Sequence, residues 1–112
     1  MLNEETATES PDPAAIFAAL GDRTRLLLLT KLSDGQTRSI VELSADTDLT
    51  RQAITKHLHV LENAGLVKSA RSGRESHFVF TPDPLSELRA YLDRISEQWD
   101  DALSRLRSFV ER

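Results

Sequence analysis

The chain contains no cysteine. Without a thiol there is no disulfide framework, no zinc ribbon, no thiolate redox couple and no cysteine nucleophile, and nothing argues for an oxidising compartment. No apolar run approaches the roughly 20 residues of a membrane span, and the N-terminus lacks the basic-then-apolar order of a secretion signal. The expectation is a cytoplasmic protein with no membrane contact. The 112 residues include only 4 glycines, and no glycine-rich phosphate loop, nucleophile elbow or base-and-nucleophile pairing occurs, so no enzymatic activity is expected. Positive charge is also scarce: 14 Lys and Arg stand against 18 Asp and Glu, a net charge of −4. That average conceals an uneven distribution. The segment Thr50 to His77 carries Arg51, Lys56, Lys68, Arg71 and Arg74 against Glu62 and Glu75. An acidic body with one basic face is drawn to a polyanion in one orientation and repelled in others.

With 39% hydrophobic residues the chain can bury one modest core. The stretch Thr50 to Leu66 is the most informative. Thr50 is placed to cap a helix and Gly65 to end it, with about four turns between them. At about 100° per residue, Ala53, Ile54, Leu58, Leu61 and Ala64 gather on one side and Gln52, Thr55, Lys56, His59 and Asn63 on the other. The first side is a core stripe. The second has the chemistry needed in a DNA major groove, where Gln and Lys reach purine edges and Thr meets a thymine methyl or a phosphate. An ordinary amphipathic surface helix would show the same two faces, so the surrounding elements must decide.

Residues 1–11 are polar, acidic and without periodicity, and are expected to be disordered. Asp12-Pro13 opens a short helix with Ile16, Phe17 and Leu20 that ends at Gly21. Asp22 caps a second helix whose run Leu26-Leu27-Leu28-Leu29 is apolar nearly all round, as in a helix enclosed by others. Ser39-Ile-Val-Glu42 has capping-box spacing, so a third helix is expected from Ile40 to about Ala45. A turn through Asp46 and Leu49 leads into the Thr50 helix, which makes a helix-turn-helix. The period then changes from helical to alternating, with Arg71-Ser72-Gly73-Arg74 as the turn of a two-stranded hairpin and Phe78 and Phe80 on one face. A hairpin directly behind a helix-turn-helix is a wing, and its tip arginines can reach a minor groove or flanking phosphates. Asp83-Pro84 caps a last helix in which Leu85, Leu88, Leu92, Ile95, Trp99, Ala102, Leu106 and Phe109 recur in alternating steps of three and four. That is a coiled-coil stripe, supplemented by Tyr91, Leu103 and Val110. The helix is longer than the rest of the domain can cover, so from Trp99 onward it is expected to meet a second copy in a two-fold dimer. The fold class expected is mainly α with a small β-hairpin, a winged helix-turn-helix at 12–82 followed by a dimerisation helix at 83–112.

Leu20-Gly-Asp-Arg-Thr-Arg25, the Ser39 to Leu43 helix, the run Arg51 to Val67 and the Gly73-Arg74 wing together resemble the ArsR family of winged-helix transcriptional repressors over about residues 14 to 82. Thr81-Pro-Asp-Pro-Leu85 and the long helix with its central Trp99 are similar to a metal-independent subgroup of SdpR-type autorepressors. The resemblance implies base- and phosphate-facing roles for Arg51, Gln52, Thr55 and Lys56, and dimerisation through the first and last helices, which adds Phe17 to Leu92, Ile95, Trp99, Ala102, Leu106 and Phe109. Ser44, Ala45 and Asp46 stand where the family's metal-sensing cysteines would follow Glu42-Leu43, and the last helix has no histidine for the other common site. No metal and no cofactor are therefore expected.

His57 and His59 point about 160° apart on a helix and cannot share an ion. His57 lies toward the apolar side as a hydrogen-bonded structural residue, whereas His59 faces out within reach of a phosphate. Asp93 and Glu97 lie one turn apart, but nothing apolar surrounds them to raise a pKa, and a solvated helix face explains them. The reading that follows is a homodimeric repressor on a palindromic double-stranded operator. In it Thr50 at the helix N-terminus, His59, Arg71 and Arg74 hold phosphates while Arg51, Gln52, Thr55 and Lys56 face the bases and the flanking backbone. Two alternatives stand beside it. One is a winged-helix module for protein assembly. The other is a small-molecule sensor with its ligand near Trp99 or Phe80.

Overall fold

The computed structural model describes residues 13–111, so the expectations for residues 1–11 and for an Asp12 cap lie outside the described residues. Helix α1 spans Pro13–Leu20 and helix α2 spans Arg23–Leu32. Between them Asp22 takes extended backbone angles, and its Oδ2 accepts the Arg25 backbone N–H at 3.0 Å. This satisfies one of the donors that a helix start leaves without a partner. Strand β1 is only Arg38–Ser39, and Ser39 also caps helix α3, Ile40–Ser44. Its Oγ accepts the Glu42 N–H at 3.2 Å, while Glu42 Oε1 accepts the Ser39 N–H at 2.8 Å, the reciprocal pair that the spacing implies.

Helix α4, Arg51–Asn63, starts where Thr50 Oγ1 accepts the Ala53 N–H at 3.1 Å. It stops in a Schellman arrangement. Gly65 takes φ 78°, its N–H reaches the Glu62 carbonyl at 2.9 Å, and the Leu66 N–H reaches that of Leu61 at 2.9 Å. Strands β2 (Val67–Ser72) and β3 (Glu75–Phe80) then pair antiparallel from Val67 opposite Phe80 to Ser72 opposite Glu75. The turn between them is Gly73-Arg74, with positive φ at Gly73 alone, as in a type II′ hairpin. The sheet has one strand more than the hairpin expected. β1 lies on the far side of β3, with Arg38 opposite Phe78, giving the order β1-β3-β2. Helix α5 runs over 28 residues, Asp83–Val110. Its N-cap is Pro82 with no side-chain bond, so Asp83 is a first-turn acid near the positive end of the helix dipole rather than the cap that the sequence suggested.

One apolar cluster joins these elements. Leu28, Leu32, Leu43, Ile54, Leu58, Leu61 and Leu66 are all fully buried, Phe78 closes the sheet side, and Leu88 brings in the start of α5. The leucine run of α2 is not enclosed all round: Leu28 and Leu29 are buried, but Leu26 and Leu27 are 49% and 44% exposed. With about 3.6 residues per turn, four consecutive side chains cannot share one inward face. Phe17 packs edge-on against Tyr91, ring centroids 6.4 Å apart, and ties α1 to α5. Beyond that contact α5 leaves the body, and Trp99 and Phe109 are each 64% exposed. Among the described residues no helix is long and apolar enough to cross a membrane.

Candidate nucleic-acid interface

The inner face of α4 is Ile54, Leu58, Leu61 and the adjoining Ala64, all buried, with Ala53 half-buried. That stripe fixes what points outward: Arg51, Gln52, Lys56, His59 and Asn63 are exposed. Thr55 differs from its expected place on the outer face. It is half-buried, and its hydroxyl donates to the Arg51 carbonyl at 2.7 Å, as β-hydroxyl residues inside helices often do.

The wing carries a second set of exposed cations, and its tip approaches α4 at Arg74. Arg71 and Arg74 are exposed, and Arg74 occupies the second position of the hairpin turn because Gly73 supplies the left-handed backbone before it. A cleft of about 230 Å³ lies between the wing and the helix-turn-helix, lined by Arg51 and Thr55 of α4, Arg74 and Ser76 of the wing, and Val41 of α3. Three of the residues singled out in the sequence, Arg51, Thr55 and Arg74, thus border one cleft. Lys56, His59 and Arg71 lie outside it.

Three of the other cations are paired with acids. Arg38 pairs with Asp34 at 2.6 Å, Lys31 pairs with Asp46 and donates to the Leu43 carbonyl at 3.0 Å, and Arg107 meets Glu111 at 3.3 Å. Among the described residues no ion pair is found for Arg51, Lys56, Arg71 or Arg74. Charges left uncompensated on one face give a surface its attraction for a polyanion, whereas paired ones cancel locally. Lys31 also bears on the segment where the sequence resemblance would place metal-sensing cysteines. Asp46 stands there with Ser44 and Ala45, and its carboxylate is already engaged by an ammonium. Among the described residues no three His, Asp or Glu side chains come together as a metal site.

The acids that hold the scaffold ionise more readily than usual. The Arg25 backbone N–H, with the nearby Arg25 charge, keeps the Asp22 carboxyl below its ordinary range. The Ser39 backbone N–H does so for Glu42, the Gln36 backbone N–H and Arg38 for Asp34, and Lys31 for Asp46. The sequence signalled two of these partnerships, the Asp22 cap of α2 and the Glu42 half of the capping box, and not those of Asp34 and Asp46.

Residues 22–69 match the family profile described as "Bacterial regulatory protein, arsR family". The chain is 48% identical over 80 residues to the uncharacterized HTH-type transcriptional regulator YuzN of Bacillus subtilis, an alignment covering 66% of this chain and 87% of that protein. It is 36% identical over 95 residues to the HTH-type transcriptional regulator Rv2034 of Mycobacterium tuberculosis, covering 85% and 83%. Among solved structures, an ArsR-like transcriptional regulator from Rhodococcus sp. RHA1 superposes with a TM-score of 0.75 at 37% identity, over 87% of this chain and 91% of that one.

Proposed function

Because the chain belongs to the arsR family of bacterial regulatory proteins and is a DNA-binding, winged helix-turn-helix transcriptional regulator, we propose that it acts as a homodimeric repressor of the family's metal-independent kind. The DNA-binding unit is residues 12–82 and the dimerising unit the helix of residues 83–112. Gln52, Thr55 and Lys56 read base edges from α4. Arg51, Arg71, Arg74, His59 and the α4 N-terminus at Thr50 hold phosphates. Occupying a palindromic operator in the cytoplasm then excludes polymerase from the promoter. The observation that carries this reading is the exposed set Arg51, Lys56, Arg71 and Arg74 on α4 and the wing of a net-acidic chain, without an ion pair among the described residues and with Arg51 and Arg74 bordering one cleft.

Dimerisation is supported by the stripe Leu92, Trp99, Leu106 and Phe109, each exposed on a helix that outruns its own body, with Ile95 and Ala102 between them and Phe17 beside its root. A second copy covering that stripe would set two α4 helices at a fixed spacing, which a two-fold symmetric operator requires. Independence from metal is supported by the Lys31–Asp46 pair at the position of the sensing cysteines.

Salt dependence tests the proposal. Each phosphate contact displaces about one counterion, so log K should fall linearly with log salt, and Arg74→Ala should reduce the slope by about one. A protein-assembly module would bind its partner through apolar groups with little salt dependence. Binding to duplex DNA that is insensitive to salt, or an unchanged slope in Arg74→Ala, would contradict the assignment.

A further inference from the structure

The Leu20-Gly-Asp-Arg-Thr-Arg25 segment takes no part in the surfaces described so far, yet the Arg25 guanidinium makes three hydrogen bonds to two other helices. Its Nε donates to the Ala19 carbonyl at 2.6 Å and its Nη2 to the Ala18 carbonyl at 3.2 Å, both in the last turn of α1. Its Nη1 lies 3.2 Å from Nδ1 of His57, on α4. A guanidinium can only donate, so the Nδ1 lone pair accepts this bond. Asp22 Oδ2 is 3.8 Å from the same Nδ1, beyond hydrogen-bond reach. One planar fork on α2 therefore ties the end of α1 to the middle of α4.

The rest of α4 is held to the body by the apolar stripe Ile54, Leu58 and Leu61 and, in its last turn, by Glu62, whose Oε2 accepts the Ser69 hydroxyl of β2 at 2.6 Å, which leaves the middle of the helix without another polar tie among the described residues. Apolar burial is non-directional and resists separation better than it resists rolling. Hydrogen bonds to a rigid fork fix orientation. A roll of about 10° would carry an atom about 6 Å from the helix axis through about 1 Å, enough to spoil a base contact. His57 follows Lys56 directly, so its angular setting is also that of the base-facing side.

Resting on the reading of α4 as the DNA-reading helix, we propose that Arg25 and His57 are a positioning pair: they fix the rotational setting of α4, and sequence-specific binding depends on them although neither is on the DNA-facing side. The test uses the full-length chain and two duplexes of equal length, one selected from a random pool by the wild-type protein and one scrambled. Arg25→Lys and His57→Leu should weaken binding to the selected duplex about tenfold while changing the scrambled one less than about twofold, since phosphate contacts are untouched. His57→Asn should stay within about threefold of wild type, because its Oδ1, attached to Cγ as Nδ1 is, restores the acceptor. The double variant Arg25→Lys/His57→Leu should be no worse than the weaker single. Equal losses on both duplexes, no loss at all, or Asn performing no better than Leu would overturn the positioning role. If Arg25→Lys fails to fold, the His57 pair decides alone. Should wild type select no sequence from the pool, the DNA-reading assignment itself falls, and this inference with it.

Discussion

Replacing Leu106 with alanine should weaken the proposed dimer without disturbing the protomer. Leu106 is 57% exposed on the outer half of α5, and no buried residue of the core cluster comes from beyond Leu88, so its truncation leaves the protomer's packing intact. Fully burying a leucine is worth about 1.5–3 kcal/mol, so covering its exposed part in a partner would contribute roughly 1–1.7 kcal/mol. A two-fold axis repeats the contact, and alanine retains only the first carbon, so the variant should lose about 2 kcal/mol of association energy, roughly thirtyfold in dimer Kd. Sedimentation equilibrium across a range of protomer concentrations measures this directly, with far-UV circular dichroism as the check that helix content is unchanged. Operator binding at low protomer concentration should weaken in parallel, because an undimerised chain presents one α4 at a time. Identical association constants for wild type and Leu106→Ala would refute the reasoning, as would a wild-type chain that stays monomeric at every concentration.

The other predictions concern the scaffold. Gly65→Ala forces a side chain into φ 78° and brings its Cβ to 3.4 Å from Pro84 Cγ; it should lower unfolding stability by about 1–2 kcal/mol, and an unchanged urea midpoint would contradict the Schellman stop. Ser39→Ala removes the α3 cap and leaves Glu42 facing an unaided backbone, at a cost of about 1 kcal/mol, read from the same urea titration. Asp22, Asp34, Glu42 and Asp46 all have carboxyls lowered in the folded state. Their stabilisation is therefore fully present above the unfolded-state carboxylate range and is lost as pH falls through the lowered folded values. The thermal midpoint should stay flat from neutrality to about pH 5 and drop below about pH 4, and a midpoint that rises on acidification would disprove the assignment.

Local chemistry made much of this fold readable. Asp22, Ser39 and Thr50 cap the helices that their spacing implied, Gly65 ends α4 and Gly73 turns the wing, because each relies only on neighbours a few residues away. What the sequence hid depends on distant packing. Strand β1 is two residues with no alternation to detect, and only its registry with Phe78 and His77 makes it a strand. The leucine run of α2 looked buried throughout because composition carries no angular information, and Leu26 and Leu27 proved exposed. Asp83 resembled a cap by residue type, but the two prolines around it shift the helix start to Pro82. Within the candidate interface, the outer face of α4 followed from periodicity, except that Thr55 turns its hydroxyl back to Arg51. The Arg25–His57 contact spans 32 residues and arises only where α2 crosses α4, so no spacing rule could have signalled it.

The central claim is that two copies of α4, set apart by α5, read two halves of one duplex. Hydroxyl-radical footprinting of the full-length chain on a duplex selected from a random pool tests it most directly. Two protected half-sites related by two-fold symmetry are expected, their centres about one helical turn or a whole multiple of it apart. A single protected half-site, or protection indifferent to sequence, would contradict it.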